Sequence, residues 1–186
     1  MKIAFLDRDG VINRNVGYLY QISEFVFESG AVEGLRRLVA LGYSIVIITN
    51  QSGMARGYYT QLDYERLTHW MQGELTQLGI PVLDILYCPH HPSGVVAEYA
   101  IECDCRKPKP GMIEQTLERF AVARNECILV GDNLTDIEAG RAAGISQLFW
   151  VVPDGDVRLA EQLGCKRMDN LNEVSLYLAD LKADTE

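Results

Sequence analysis

Short runs of apolar and β-branched residues alternate along this chain with longer stretches in which apolar residues recur every three or four positions. The runs Lys2 to Leu6, Ser44 to Ile48, Val82 to Tyr87, Cys127 to Val130 and Gln147 to Val151 predict five strands. Between them Val32, Leu35, Leu38 and Val39 keep helical spacing, as do Leu67, Trp70, Met71, Leu75 and Leu78, and then Ile113, Leu117 and Phe120. Those stripes are core and carry no chemistry. Strand followed by helix, repeated, predicts an α/β three-layer sandwich whose central sheet is mainly parallel. The 186 residues fit a single domain, 1–186, large enough to bury a core without disulfides.

In such sheets ligands gather at the carboxyl ends of the strands. The segments that follow the predicted strands are DRDG, TNQSG, CPHH and GDNLTD, so all four are expected on one edge.

The first of these segments places two acids, Asp7 and Asp9, directly after an apolar run, with Gly10 allowing a sharp turn. Carboxylates this close repel one another, and a charge leaving the core is costly without a partner. A divalent cation is the natural compensation, and hard oxygen ligands favour Mg²⁺. Asp132, after the apolar run ending at Val130, supplies a third acid; Asp136 could hold a metal-bound water or brace the loop. Taken singly, Asp7 could cap a turn and Asp132 the following helix. Two acidic strand ends together with Thr49 at a third favour a site.

Composition narrows the partners. The net charge of -9 argues against binding a nucleic-acid backbone. Only four apolar residues, Ile3 to Leu6, stand between Lys2 and the charge that resumes at Asp7, and no run approaches a membrane span. A cytoplasmic, reducing location is expected, with no membrane and no nucleic-acid partner, and a monomer.

In that setting the five cysteines read as metal ligands or core residues. Cys88, His90, Cys103 and Cys105 supply four soft or borderline donors suited to a closed, structural Zn²⁺ site, with His91 as the competing imidazole. The CDC spacing departs from common zinc-finger patterns, so core or surface cysteines stay open as the alternative. A zinc loop over about 88–105 would fix Arg106 and Lys107, which follow Cys105 immediately. Cys127 is expected in the core.

Four stretches in order, DRDG at 7–10, TN at 49–50, Lys107 before a helix and GDNLTD at 131–136, resemble the haloacid dehalogenase-like phosphohydrolase superfamily. The resemblance implies a Rossmann-like fold with Asp7 as nucleophile and Asp9 as general acid/base. Thr49 and Lys107 would hold the phosphoryl group, and Mg²⁺ would sit on Asp7, Asp9 and Asp132. DRDGVIN, TNQSGMARGY, CPH and CDCRKPKPGM look like a narrower family, the D-glycero-D-manno-heptose 1,7-bisphosphate 7-phosphatases, close relatives of the histidinol-phosphate phosphatases. That family lacks a large cap domain, and loops contact its sugar bisphosphate. Carried over, the contacts are Asn15, Val16, Gly17, Tyr18, Thr49, Asn50, Gln51, Ser52, Arg106, Lys107 and position 133. The chain departs from the family's pattern at Asn133, where lysine is frequent, and at Asn15. The expected role is removal of the C7 phosphate in nucleotide-heptose biosynthesis. Histidinol-phosphate hydrolysis is the alternative and a phosphoacceptor signalling domain the distant one. No GxxxxGK[ST] segment supports a P-loop.

Overall fold

The computed structural model describes residues 1–184. Six strands, β1 (Lys2–Leu6), β2 (Tyr43–Asn50), β3 (Val82–Cys88), β4 (Cys127–Gly131), β5 (Gln147–Val151) and β6 (Lys166–Met168), form one sheet in the order β3-β2-β1-β4-β5-β6. Every pairing is parallel. The helices are α1 (Ala31–Ala40), α2 (Gln61–Gln77), α3 (Gly111–Phe120), α4 (Leu134–Ala142), α5 (Val157–Gln162) and α6 (Leu171–Ala183).

Strand residues alternate between the two faces, and the core divides accordingly. Ala4, Leu6, Ile45, Ile47, Ile128 and Val130 pack with α1, α2 and α6 through Leu35, Leu67, Met71 and Val174. Ile3, Phe5, Val46, Ile48 and Leu129 face the other way, onto Ile113 and Leu117 of α3, Ile137 of α4 and Ala160 of α5. A strand covered on both faces needs apolar residues at every position, which is why the central strands read as continuous runs.

The five expected strands are all present. β2, β3 and β4 each reach at least one residue further at the carboxyl end than the apolar runs indicate, because the ladder continues through Asn50↔Cys88 and Gly131↔Trp150. The sequence reading missed β6, whose three residues include Lys166 and Arg167, and it set out no stripe for α5 or α6. Helix α6 reaches Ala183; Thr185 and Glu186 lie outside the described residues.

The order in which strands are added to the sheet reverses at β1. From β1 the next strand in sequence, β2, lies on one side and β4 on the other, so the carboxyl ends of β1 and β4 flank the switch point where an α/β sheet opens a crevice. Register keeps these ends level: Leu6 pairs with Ile47 on one side and Val130 on the other. The two longest irregular connections, 7–30 and 89–110, both emerge at this edge, and neither contains more than the three-residue 3-10 turn Ile22–Glu24. Among the described residues no large cap domain is inserted. Among the described residues no helix is long and apolar enough to cross a membrane.

Helices α1 and α6 pack closely where Gly34 meets the first turn of α6. A Cβ on Gly34 would lie 2.7 Å from the backbone of Leu171. Alanine favours an isolated helix by about 1 kcal/mol over glycine, but overpacking against an unyielding backbone costs about 1–3 kcal/mol. Gly34→Ala is therefore expected to lower stability, measured as an earlier midpoint in urea unfolding; a later midpoint would show that the α1–α6 contact yields.

Candidate active site

Asp7 follows β1, and its amide bonds to Val130 O of β4 at 3.0 Å, which pins the loop to the switch point. Facing it is Lys107, 3% exposed, carried in by the 89–110 connection. Lys107 Nζ lies 3.0 Å from Asp7 Oδ1 and 2.6 Å from Asp136 Oδ1, and donates to Ile48 O at 2.9 Å. Burial alone would lower the lysine's pKa, but the two aspartates outweigh it and the net shift is upward, so the side chain stays a cation. Asn50 fixes the approach, accepting from Lys107 N at 3.1 Å and donating to Lys107 O at 3.0 Å.

Three carboxylates, Asp7, Asp132 and Asp136, converge with oxygens within 4.8 Å of one another. Burial, reinforced by Asp136 and opposed by Lys107, raises Asp7 well above the usual carboxylate range. Burial and Asp136 also push Asp132 up to about 6, against the opposing influence of Asn15 and Lys107. One ammonium does not neutralise three clustered acids, and the remaining negative charge suits a hard cation held by oxygen. Both Asp136 oxygens are engaged, Oδ1 by Lys107 and Oδ2 by Asn133 N, so Asp7 and Asp132 are the carboxylates left for it. Space is shaped around them: a Cβ on Gly10, whose φ is +86°, would fall 2.0 Å from Asp132 Oδ2.

Asp9 lies outside that trio, although the sequence reading placed it among the magnesium ligands. Its carboxylate is drawn the other way by three donors. Arg8 reaches Asp9 Oδ2 through Nε at 3.2 Å and Nη2 at 3.0 Å, Asn13 Nδ2 reaches Oδ1 at 2.9 Å, and Gln51 Nε2 reaches Oδ2 at 3.2 Å. Arg8 is itself 1% exposed, also bonded to Leu19 O at 3.2 Å.

A cleft of about 420 Å³ opens over these groups. The sequence-selected residues Asp7, Asp9, Asn15, Gly17, Tyr18, Thr49, Asn50, Gln51, Ser52, Arg106, Lys107, Asp132 and Asn133 all line it; Val16 does not, and is 59% exposed. Asp132 is not the cap of α4. Asn133 holds that place, accepting from Thr135 N at 3.2 Å, while Asp136 accepts from Asn133 N at 3.0 Å. Asp136 thereby braces the loop and pairs with Lys107 at once. Sequence reasoning passed over Arg8, Asn13 and Tyr59. Arg8 and Asn13 stand beside the acids in DRDGVIN and could have been found as counter-charges; Tyr59 gave no local signal.

Beside the cleft, Cys88, His90, Cys103 and Cys105 gather their ligand atoms within 4.8 Å of one another. Neighbouring pairs are 3.5–3.6 Å apart: Cys88 Sγ to Cys103 Sγ at 3.5 Å and to His90 Nδ1 at 3.6 Å, with Cys105 Sγ 3.5 Å from both Cys103 Sγ and His90 Nδ1. A tetrahedron of 2.3 Å metal–sulfur bonds has edges of about 3.8 Å, so the four donors fit zinc with little adjustment. His91 is turned elsewhere, its Nε2 3.2 Å from Arg56 and its Nδ1 accepting from Ser93 N at 3.1 Å. Cys127 is buried in the core, as expected.

An aspartate after the first strand, a threonine after the second, a buried lysine and an acidic loop after the fourth, on an all-parallel sheet, define a haloacid dehalogenase-like hydrolase. Residues 104–155 match the family described as "Hydrolase_like: HAD-hyrolase-like". The D-glycero-alpha-D-manno-heptose-1,7-bisphosphate 7-phosphatase of Photorhabdus laumondii is 50% identical over 151 residues, 81% of this chain and 82% of that one. The D-glycero-beta-D-manno-heptose-1,7-bisphosphate 7-phosphatase of Pasteurella multocida is 45% identical over 150 residues, 81% of each chain. The D,D-heptose 1,7-bisphosphate phosphatase of B. bronchiseptica, solved with magnesium and phosphate, is 31% identical and superposes with a TM-score of 0.82 over 97% of this chain and 99% of that one. The chain belongs to the heptose-1,7-bisphosphate 7-phosphatase family of haloacid dehalogenase-like hydrolases, and it is a phosphoric monoester hydrolase.

Gly10→Ala tests the packing at the carboxylates. It forces a Cβ into the space of Asp132 Oδ2, and a displacement of this size is expected to lower kcat about 100-fold. Wild-type turnover in that variant would mean that Asp132 has room to retreat without consequence.

Proposed function

We propose that this chain is a Mg²⁺-dependent phosphatase that removes the C7 phosphate of a D-glycero-D-manno-heptose 1,7-bisphosphate through an aspartyl-phosphate on Asp7. The observation that carries this reading is the contact between Asp7 Oδ1 and the buried Lys107 Nζ at 3.0 Å, on the floor of an open cleft. A carboxylate beside a fixed cation is placed to attack phosphorus while the cation and nearby donors hold the phosphoryl oxygens.

Asp7 and Asp132 are the residues to hold Mg²⁺. Bound there, the ion would neutralise charge on the carboxylates and on the transferred group. The remaining steps belong to the chain's own side chains. Asp7 attacks in line and becomes esterified as the sugar alkoxide leaves. Thr49 and Lys107 donate to the phosphoryl oxygens. Asp9, protonated, gives its proton to the leaving oxygen, and as the carboxylate then takes one from the water that hydrolyses the acyl phosphate. The need for this proton separates the reading from a phosphoacceptor domain, where a long-lived phospho-aspartate would be the product.

The sugar and its second phosphate would be met by the loops, because no cap covers the cleft. Arg106, bonded through Nη1 to His90 O at 3.3 Å, and Tyr18 stand at its wall and rim. The zinc group is assigned a structural part: it ties the end of β3 at Cys88 to Cys105, next to Arg106 and Lys107. The product of this activity would feed nucleotide-activated heptose biosynthesis, and the enzyme is assigned on that reading to the cytoplasm.

Asp7→Asn keeps the shape of the side chain and removes the nucleophile, so phosphate release should fall to background while the melting temperature stays near that of the wild type. Specificity constants on both anomers of heptose 1,7-bisphosphate and on histidinol phosphate decide the substrate; a larger value on histidinol phosphate would overturn the assignment. Metal analysis of the purified protein should return about one zinc per chain, and mutation of Cys103 or Cys105 to serine should abolish that content and lower the melting temperature. Zinc-free protein with unchanged melting would remove the structural role.

A further inference from the structure

Along the wall of the cleft a line of buried side chains decides how Thr49 and Asp9 present themselves. Tyr59 is 6% exposed, and its ring stacks on Tyr20 with centroids 5.4 Å apart and planes 19° from parallel. Its hydroxyl donates to Gln51 Oε1 at 2.5 Å. Gln51, 2% exposed, turns its amino group the opposite way, donating to Thr49 Oγ1 at 2.8 Å and to Asp9 Oδ2 at 3.2 Å.

The direction of each bond follows from the groups present. While Asp9 is the carboxylate paired with Arg8, a reversed amide would set Oε1 against it with no proton between two acceptors, so the amino group belongs on that side. Tyr59 must then be the donor. Burial, with a further push from Asp9 and against the pull of Arg8, raises the Tyr59 pKa and keeps the proton on. Thr49 Oγ1 receives a hydrogen from Gln51, and its own single proton is left for an acceptor on the cleft side. The backbone makes room for this arrangement: a Cβ on Gly53 would lie 2.1 Å from Tyr59 Cε1.

We propose that Tyr59 and Gln51 are positioning residues, acting through their neighbours: Tyr59 sets the polarity of the Gln51 amide, and Gln51 aims the Thr49 hydroxyl proton at the transferred phosphoryl group while holding the Asp9 carboxylate in place. This rests on the roles given above to Thr49 and Asp9. Losing the Tyr59 hydroxyl frees the amide to rotate without changing the cleft's shape, so the loss falls on the chemical step rather than on binding.

The test is steady-state phosphate release from heptose 1,7-bisphosphate by Tyr59→Phe, Gln51→Ala and the double variant. Tyr59→Phe is expected to lower kcat about tenfold, with KM changed by less than about twofold. Because Tyr59 acts only through Gln51, the double variant should be no slower than Gln51→Ala alone. Phenylalanine keeps the ring, so any packing loss recurs in both backgrounds and cancels in that comparison. Wild-type kcat in Tyr59→Phe, or losses that multiply in the double variant, would overturn the proposal. Asp9→Asn run in parallel separates the two levels: activity in Asp9→Asn defeats the acid/base reading, whereas an inactive Asp9→Asn beside an unaffected Tyr59→Phe defeats the positioning claim alone.

Discussion

One buried ammonium organises this site. Lys107 is drawn into the end of the sheet and holds Asp7 after β1, Ile48 O in β2 and Asp136 in α4, so a single cation joins three elements that flank the switch point. Burying a charge is costly, and taking away one partner of such a pair costs about 3–5 kcal/mol because the other is stranded. Apolar residues could fill the same volume with less penalty, but they could not offer positive charge to an anionic group in the cleft. The arrangement trades stability for a preorganised positive charge where negative charge develops.

Around this pair the geometry is set by what is left out. Gly10 and Gly131 stand where any Cβ would strike Asp132 or Asp136, the closest approaches being 2.0 and 2.2 Å. Two acidic side chains can therefore lie against the turns after β1 and β4. Burial, and after it the charge of Asp136, raises the proton affinity of Asp7 and Asp132, which is the electrostatic mark of a place that a hard cation relieves.

The lysine is delivered by the long connection that carries the cysteines, so its placement depends on distant anchors. Cys88 closes β3 and its carbonyl accepts from Gln51 N at 2.7 Å; Cys105 precedes Arg106 and Lys107; Asn50 clasps the Lys107 backbone from both sides. A clamp at the four metal-type ligands thus reaches both the lysine and the Gln51 segment through one or two residues. It would stiffen the active-site wall without touching the phosphate ester.

The apolar runs determined by themselves that five strands exist and that helices alternate with them, and the acids of DRDG and GDNLTD, Thr49 and the CPH and CDC cysteines were legible because each follows a strand or shares a loop. That information is local: a period of two or 3.6 names an element and its buried face. The tertiary structure alone decided partners. It turned Asp9 to Arg8, Asn13 and Gln51 rather than to Asp132, gave the α4 cap to Asn133, chose His90 over His91, paired the charged strand β6, and brought Tyr59 behind Gln51. These choices depend on which groups meet across the sheet, and no periodicity along the chain encodes a meeting between residues that folding brings together only at its end.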